Sequence, residues 1–357
     1  MKFRSRRVAW LLAASALATF PASASGAYDP IGSGTATIRL DARFLSFLRH
    51  SRIKLKPVAP ARFSHGRLSM PIVEGTVDPT LGKAKTGTDG AFALESGRNR
   101  VPFRDLMFKT AKSPLTARVG GGQFKVGSAA GFGFTRKGFA SVFSADRLRL
   151  SAKVAVRLNK KLRPLQPFVA GQVIGSTVAK VNPSTLAVLE RGASSLEFNP
   201  GFSGKLNDLF VSVNPIFPAE RRDGPFTFPL IGGGTLSPVG SSGVVKTGGD
   251  LEFLQLHSNA QIFMHESWLD FAAHSKSDEV DIEPSPPFGG KLNRVPVFDL
   301  VVGPVSAIAS RRTIAASAQL LMRPETAKAF NDAFAEGKEP FEAGEVVASI
   351  SFTAYAQ

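Results

Sequence analysis

The strongest constraint in the sequence is an internal duplication. The stretch from Leu55 to Gly75 recurs without a gap from Val213 to Gly233, with the same spacing of Pro, Ala and Gly. The alternating positions Leu68, Met70 and Ile72 also face apolar residues in the second stretch. A repeat that keeps the residues shaping backbone and core indicates two copies of one structural unit.

The two copies also end alike. Helical periodicity predicts a helix over Ala152–Leu162 and another over Pro324–Phe334. Similar segments that begin at Pro167 and Pro340 predict a final strand after each helix. The domain boundaries that follow are residues 34–182 and 194–357.

Between these ends, short apolar runs alternate with Gly and Pro turns, as is typical of strands. After a Gly/Ser linker at residues 32–34, Asp41 is placed to cap a short helix whose apolar side holds Phe44, Phe47 and Leu48. The pattern predicts a mainly β fold with two tandem β-sandwich or barrel-like domains, each with two short helices.

Two further segments allow the copies to be compared. Lys85–Phe92 aligns with Lys246–Phe253, which predicts a shared turn that enters a strand. Residues His274–Gly290 are polar and rich in proline and have no counterpart in the first copy. We predict a loop insertion there, of the kind that often carries function.

Residues 1-25 have the three parts of a secretory signal peptide. Basic residues precede an apolar run from Val8 to Phe20, and small residues end the segment at Ala24. The run is shorter than the ~20 residues that span a bilayer, and no later stretch is long enough, so no transmembrane segment is predicted. The pair Arg6-Arg7 fits a twin-arginine signal as well as a general one. We expect an exported protein, extracellular or associated with the cell envelope.

The two copies carry opposite charge. Residues 26–185 contain 27 Lys and Arg against 8 Asp and Glu, a net charge of +19, whereas residues 186–357 contain 13 against 20, a net charge of −7. A basic surface attracts polyanions by a sequence-independent electrostatic term. Either the copies meet different partners, or their surfaces have drifted apart.

Basic residues cluster around the repeated stretch and on the closing helix of the first copy. In an exported protein they favour an anionic cell-envelope polymer over nucleic acid, because no aromatic residues are interleaved for base stacking. The residues that we predict to bind such a polyanion are Arg49, Arg52, Lys54, Lys56, Lys160 and Lys161.

Several classes of enzyme lack their signature here. Cysteine is absent, which excludes disulfides, thiolate ligands and cysteine nucleophiles. His265-Glu266 begins like a zinc protease motif, but Leu269 stands where the second histidine is required. A G-x-S-x-G elbow is also missing. We predict a non-enzymatic protein that requires no metal and no cofactor.

Two histidines are spaced for a shared ligand site. His257 and His265 are eight residues apart and would face the same way on one extended strand. Glu266, Asp270 and Asp278 lie nearby, so a metal or haem site is one interpretation. Histidines satisfied by ordinary hydrogen bonds are the alternative.

Several motifs in the first copy form a recognisable series. A strand leads into a Phe-rich short helix, followed by V-x-P-A at residues 58–61, G-x-L-x-x-P at residues 66–71, a glycine turn and a closing A-x-x-L-N helix. This series resembles the HtaA domain of exported Gram-positive, mainly actinobacterial, proteins. The resemblance covers both copies and implies a β-rich fold, a cell-surface location and haem ligation by a tyrosine supported by a histidine.

The sequence departs from the ligation that the resemblance implies. Its tyrosines are Tyr28 and Tyr355, outside the predicted helix, and His50 falls where the family's helix tyrosine is expected. The candidate ligand-binding residues are therefore His50, His257 and His265. We predict an exported protein that binds a haem-like ligand; the alternative is a structural or adhesive envelope protein whose basic first domain binds anionic cell-wall polymer. The sequence indicates no oligomeric state.

Overall fold

Two antiparallel β-sheets make up most of the protein. The computed structural model describes residues 28–110, 115–119, 121–189, 191–221, 223–240, 242–272, 276–284 and 293–357. Within these ranges every strand pairing is antiparallel, and no strand of one sheet joins the other sheet. We call residues 29–183 unit 1 and residues 186–355 unit 2. The predicted signal peptide lies outside the described residues.

Unit 1 contains eleven strands and two helices. They are β1 (Asp29–Leu40), α1 (Ala42–His50), β2 (Lys54–Val58), β3 (Arg62–Ser64), β4 (Arg67–Asp78), β5 (Lys83–Thr88), β6 (Ala91–Ser96), β7 (Asn99–Lys109), β8 (Leu115–Val119), β9 (Gly122–Lys137), β10 (Ala140–Leu150), α2 (Ala152–Leu162) and β11 (Val173–Pro183). The predicted linker at residues 32–34 is part of β1.

Eight of these strands close into a barrel. Their order around the ring is β1, β4, β5, β7, β8, β9, β10 and β11, and β11 returns to β1. An eight-stranded barrel has an interior just wide enough for its own side chains to fill. Here the residual interior void is only about 40 Å³, and it is lined by apolar residues such as Leu68, Phe103 and Leu158.

Unit 2 repeats this order of elements and adds three short strands. Its elements are β12 (Leu186–Val188), β13 (Ala193–Phe198), α3 (Pro200–Asp208), β14 (Val211–Ile216), β15 (Glu220–Arg221), β16 (Phe226–Pro229), β17 (Gly234–Leu236), β18 (Gly243–Lys246), β19 (Asp250–Gln255), β20 (Gln261–Asp270), β21 (Ser277–Pro284), β22 (Asn293–Val302), β23 (Ser306–Ile308), β24 (Thr313–Met322), α4 (Pro324–Phe334) and β25 (Val346–Tyr355). The added strands are β12, β17 and β23.

The sheet of unit 2 is a half-barrel. Among the described residues no ladder joins β16 to β18. The segments after β16 and β18 are linked where Leu230 forms a single bridge with Thr247 and Ile231 N donates to Lys246 O at 3.0 Å. In unit 1 the equivalent seam is a full ladder between β4 and β5. The prediction of two barrel-like, mainly β domains with two short helices each is confirmed.

Strand register corrects the predicted alignment of Lys85–Phe92 with Lys246–Phe253. At the seam Ile72 pairs with Thr88, and its counterpart Leu230 pairs with Thr247. Thr247 therefore corresponds to Thr88, so the alignment was wrong by two residues. The shared letters K-T-G are a local coincidence, whereas the pairing across the seam decides which residues correspond.

Two other predictions about local structure were wrong. The final strands begin at Val173 and Val346, because the preceding segments at residues 167–172 and 340–345 are loops. Residues His274–Gly290 are not all loop, since Ser277–Pro284 is a strand paired on both sides.

An asparagine side chain holds each of these loops against the closing helix. In unit 1 the Asn159 amide donates to Phe168 O at 2.9 Å and accepts from Phe168 N at 2.7 Å. Asn331 makes the same two bonds with Phe341 in unit 2, at 2.9 and 3.0 Å. Because the backbone groups of Phe168 and Phe341 are satisfied in this way, they do not extend the strands.

The units are joined by a buried ion pair. Asp29 accepts from Ala187 N at 2.7 Å and from the guanidinium of Arg312 at 2.9 Å, and both side chains are buried. Burial raises the pKa of Asp29, despite the opposing effects of Ala187 and Arg312, and it lowers the pKa of Arg312. Removing either partner would leave a buried charge without its counter-ion.

Replacing Asn159 by alanine is expected to lower the free energy of unfolding by about 1–3 kcal/mol, because Phe168 loses partners for two backbone groups. Asn331→Ala is expected to cost a similar amount in unit 2. Denaturant unfolding of the full chain measures both losses. Asn182→Ala, which removes one exposed hydrogen bond, is the control. Equal unfolding free energies for Asn159→Ala and Asn182→Ala would contradict this role of the amide.

Candidate functional site

An open groove lies on the outside of the unit 1 barrel, beside the start of α1. Its volume is about 830 Å³, within the usual range for ligand sites. The barrel interiors, by contrast, hold voids of only about 30 to 40 Å³. The groove is lined by Arg39, Leu40, Asp41, Ala42, Arg43, Phe44, Asp146, Arg147, Gln172, Val173, Gly175 and Ser176.

The floor of the groove is built from three neighbouring strands. Arg39 on β1 pairs with Ser176 on β11, and Arg147 belongs to β10 on the other side of β11. Ile38 and Leu148 are buried, whereas Arg39 and Arg147 are exposed. Two strand spacings place the Cα atoms of the two arginines ~10 Å apart.

A β-bulge brings Arg147 into this groove. In the pairing of β10 with β11, the register shifts between Ala145 and Leu148, so Asp146 and Arg147 occupy the space of one residue. A bulge leaves an extra residue unpaired and turns side chains away from their regular positions. Two consecutive charged side chains consequently lie on the outside of the barrel.

The first turn of α1 forms the wall of the groove. The Asp41 carboxylate caps the helix by accepting from Arg43 N at 2.8 Å and Phe44 N at 3.3 Å. Phe44 anchors the turn in the core, where it is buried. The exposed side chain of Arg43 is therefore held at the groove by a well-fixed piece of backbone.

The three groove arginines form no ion pair with any residue that the structure describes. Among the described residues no carboxylate oxygen lies within 4.0 Å of the guanidinium nitrogens of Arg39, Arg43 or Arg147. The three guanidinium groups outnumber the two carboxylates that line the groove, Asp41 and Asp146, which leaves a local positive potential. Planar guanidinium groups bind carboxylates and phosphates with two parallel hydrogen bonds.

The equivalent positions in unit 2 have lost this basic character. Arg39 corresponds to Glu197, since both pair with a serine of the last strand, and Arg43 corresponds to Gly201. The two bulge residues are matched by Gln319 alone, which pairs regularly with Ser349. Glu345 at this end of unit 2 forms an ion pair with Lys205. Among the described residues, unit 2 has no basic groove at the equivalent place.

The three predicted ligand histidines lie in separate places. His50 ends α1, is exposed, and its Nδ1 lies 2.9 Å from Ser46 O. His257 lies in the turn after β19, where its Nε2 is 3.3 Å from Glu336 Oε1. His265 lies within β20, and its Nδ1 is 3.0 Å from Asp250 Oδ2.

The predicted alignment of His257 and His265 on one strand does not occur, because the β19–β20 turn separates them. Within the described ranges no three histidine or acidic side chains gather closely enough to hold a metal ion. His274 lies outside the described residues. A ligand role for each histidine separately stays a prediction.

The six predicted polyanion-binding residues are all exposed. Arg49, Lys160 and Lys161 lie in the last turns of α1 and α2, and Arg52 and Lys54 follow α1. Lys56 is partly neutralised by Glu95, whose carboxylate is 2.8 Å away. None of the six lines the groove, so they form a separate basic surface whose role also stays a prediction.

The family's mode of haem ligation does not fit the residues present. Tyr28 and Tyr355 are 50% and 41% exposed, and they lie just before β1 and at the end of β25. Neither is on α1, and the helix ends with His50, whose Nδ1 is close to a backbone oxygen of the same helix.

Asp278, one of the acidic residues close to the histidines in sequence, is buried in an apolar environment. Asp278 on β21 points into the apolar interior of unit 2 and accepts a hydrogen bond from the Ser267 hydroxyl. Burial raises its pKa to about 6, against the opposing effects of Ser267 and of Arg294. Strand register shows that the matching residue in unit 1 is the apolar Leu115.

Comparison with known proteins gave structural matches only. No family model matches the sequence, and no curated protein does. The C-terminal domain of HtaA from Corynebacterium glutamicum is similar, with 18% identity and a TM-score of 0.38 over 48% of this chain and 99% of that domain. The N-terminal domain of the same protein has 19% identity and a TM-score of 0.32, over 46% of this chain and 97% of that domain. The predicted resemblance to HtaA domains is confirmed, with each match covering about half of the chain.

The groove arginines were missed by reasoning from sequence, although a signal exists. Unit 1 reads Ser-Ala-Asp-Arg-Leu from residue 144, and unit 2 reads Ser-Ala-Gln-Leu from residue 317. The additional residue in the first copy marks the bulge. The clusters of basic residues in the sequence predicted a polyanion site at the helix ends instead.

The raised pKa of Asp278 makes the stability of unit 2 depend on pH. Its folded-state pKa of about 6 exceeds the ordinary value of 3.8, so the fold favours the protonated acid. Stability from this group is fully present below pH ~4 and is lost as pH rises through ~6, by about 3 kcal/mol. Asp278→Leu, which copies unit 1, is expected to stabilise the protein at pH 7.5 far more than at pH 4.

Unfolding of wild type and Asp278→Leu at both pH values measures this difference. Asp332→Asn, at an exposed acid, serves as the control. A stabilisation by Asp278→Leu that is the same at pH 4 and pH 7.5 would show that ionisation of Asp278 does not matter.

Proposed function

We propose that this chain is an exported, non-enzymatic binding protein whose unit 1 holds an anionic ligand in the groove beside α1. The observation that carries the proposal is the set of three groove arginines, which have no carboxylate partner among the described residues. Guanidinium groups form strong, charge-assisted hydrogen bonds with carboxylate or phosphate. A ligand in the groove also excludes water, which makes these bonds stronger than those of an ion pair in open solvent.

The net charge of unit 1 supports the same ligand class. Its +19 charge favours the approach of anions from a distance, and the groove then supplies local contacts. Unit 2 is acidic overall and carries Glu197 and Gln319 at the equivalent places, so the two units are expected to differ in ligand. Divergence at an otherwise repeated site indicates a functional difference more directly than divergence of scattered surface residues.

The lining of the groove favours binding over catalysis. Its twelve residues include no histidine, lysine or tyrosine, and its single hydroxyl, on Ser176, makes no hydrogen bond to either groove carboxylate, Asp41 or Asp146. Nucleophilic catalysis requires a base within hydrogen-bond reach of the nucleophile.

No helix in the described part of the chain is long and apolar enough to cross a membrane.

The ligand of the groove is an anionic cell-envelope polymer or a haem-like compound, which share carboxylate or phosphate groups. The second choice rests on the resemblance to HtaA domains and would place the anionic side groups of the compound on the arginines. Envelope localisation likewise follows from the signal-like segment at residues 1-25 together with that resemblance.

The proposal is tested with the full mature chain and two matched triple variants. One variant replaces Arg39, Arg43 and Arg147 by glutamine, and the other makes the same change at Lys83, Lys85 and Arg98, which are exposed and belong neither to the groove nor to the predicted polyanion-binding set. Both lose three positive charges. The groove variant is expected to lose about tenfold or more in affinity for inorganic polyphosphate or for haem, as expected for lost charge-assisted bonds. The control variant is expected to lose less than about threefold.

Separate titrations with polyphosphate and with haem, the second followed by its absorption band, distinguish the two ligand sources. Equal losses in the two variants would assign binding to general surface charge and would reject the groove. Undiminished binding by the groove variant would reject it as well.

A further inference from the structure

A carboxylate lies among the groove arginines. Asp146 shares the bulge with Arg147, is exposed, and lines the groove. Opposite it on β9 is Gly131, in the left-handed region with φ +68, where an added Cβ would lie 2.6 Å from Asp146 Oδ2. A side chain at position 131 would displace the carboxylate, so the local backbone makes room for Asp146.

The two acidic residues of the groove differ in their hydrogen bonding. The carboxylate of Asp41 is occupied by two backbone N–H groups of α1. The Asp146 carboxylate has no hydrogen bond or ion pair with any other described residue, although Arg147 is its neighbour in sequence. It is therefore available as an acceptor for a donor on the ligand.

A plain anion would be bound against the charge of Asp146. Like charges held together destabilise a complex, whereas a hydroxyl donated to a carboxylate makes a charge-assisted hydrogen bond. Of the groups that accompany anions in an extracellular polymer, hydroxyls satisfy Asp146 without competing for the arginines. The mixed lining thus selects a ligand that carries hydroxyls next to its anionic groups.

The spacing of the arginines indicates more than one anionic group. Arg39 and Arg147 lie on strands that flank β11, with Cα atoms ~10 Å apart, and Arg43 lies on the helix wall. Mutual repulsion favours extended, separate positions for their guanidinium groups. A chain with repeated anionic groups can engage them together and gains from the high effective concentration of the second group.

We infer that the groove binds a hydroxylated polyanion, namely an acidic sugar chain or a polyol phosphate, and that Asp146 accepts hydrogen bonds from its hydroxyls. This inference rests on the proposed function, because it assumes an anionic ligand in the groove. Asp146 is a specificity-determining residue in this account. Unit 2 has no carboxylate at this place to accept such hydrogen bonds, because the single residue Gln319 replaces the two bulge residues of unit 1.

The test compares two oligomers with equal numbers of carboxylates, oligogalacturonate with hydroxyls and oligoglutamate without them. The full chain is expected to bind oligogalacturonate at least about tenfold more tightly, the size of a hydrogen bond to a charged group. Asp146→Ala is expected to weaken binding of oligogalacturonate and to strengthen binding of oligoglutamate, so that the preference disappears. Asp146→Asn, which keeps a hydrogen-bonding side chain, is expected to retain part of it.

Glu74→Ala, which removes an exposed acid elsewhere in unit 1, is the matched control and is expected to keep the preference. A parallel comparison of a glycerol phosphate oligomer with inorganic polyphosphate distinguishes a polyol phosphate from an acidic sugar as the source. Thermal unfolding of each variant verifies that unit 1 is folded.

The outcomes separate the two proposals. If the wild-type chain binds hydroxylated and plain oligomers equally in both comparisons, or if Asp146→Ala leaves the preference intact, the inference about hydroxyls is overturned while anion binding stands. If none of the four oligomers binds in a way that depends on the groove arginines, the proposed function itself is rejected.

Discussion

Closure of eight antiparallel strands is the constraint on which the rest of unit 1 depends. In a closed ring each strand gives alternate residues to the inside and the outside, and a barrel of this size has no interior space to spare. Apolar residues such as Ile38 and Leu148 fill the interior. Charged residues can then lie only outside or at the ends, so any ligand site of useful size is external.

The groove exists because the regular alternation is broken at one point. A bulge at Asp146 and Arg147 adds a second charged side chain to the outer face, next to the capped start of α1. In unit 2 the same strands keep regular register through Gln319, and the acidic Glu197 lies where unit 1 has Arg39. One extra residue therefore accounts for much of the difference between the two units at this place.

Unit 2 has diverged in its interior as well. Where unit 1 places Leu115 in its core, unit 2 places Asp278, which has the Ser267 hydroxyl as a hydrogen-bond donor. A buried acid lowers stability when it ionises, and the single bridge between Leu230 and Thr247 gives unit 2 a weaker seam than unit 1. The duplicated fold thus supports one unit with an apolar core and a basic groove, and another with a buried acid.

Local signals in the sequence predicted much of the fold. Both closing helices and the Asp41 cap are as predicted, because apolar periodicity and capping residues act within a few positions. The site was harder to predict, since Arg39 and Arg147 are distant in sequence and meet only through the pairing of β1, β11 and β10. The shared face predicted for His257 and His265 assumed one strand, but a turn intervenes.

The most direct test of the account transfers the groove from one unit to the other. In a full chain whose groove arginines are glutamines, Glu197→Arg and Gly201→Arg are combined with Gln319→Arg preceded by an inserted aspartate. Binding of oligogalacturonate, measured by calorimetry, is predicted to return to within about tenfold of the wild-type affinity, because unit 2 has the same strand pairing around these positions. Absence of binding in a chain that unfolds with wild-type cooperativity would contradict the claim that these residues, in this register, make the site.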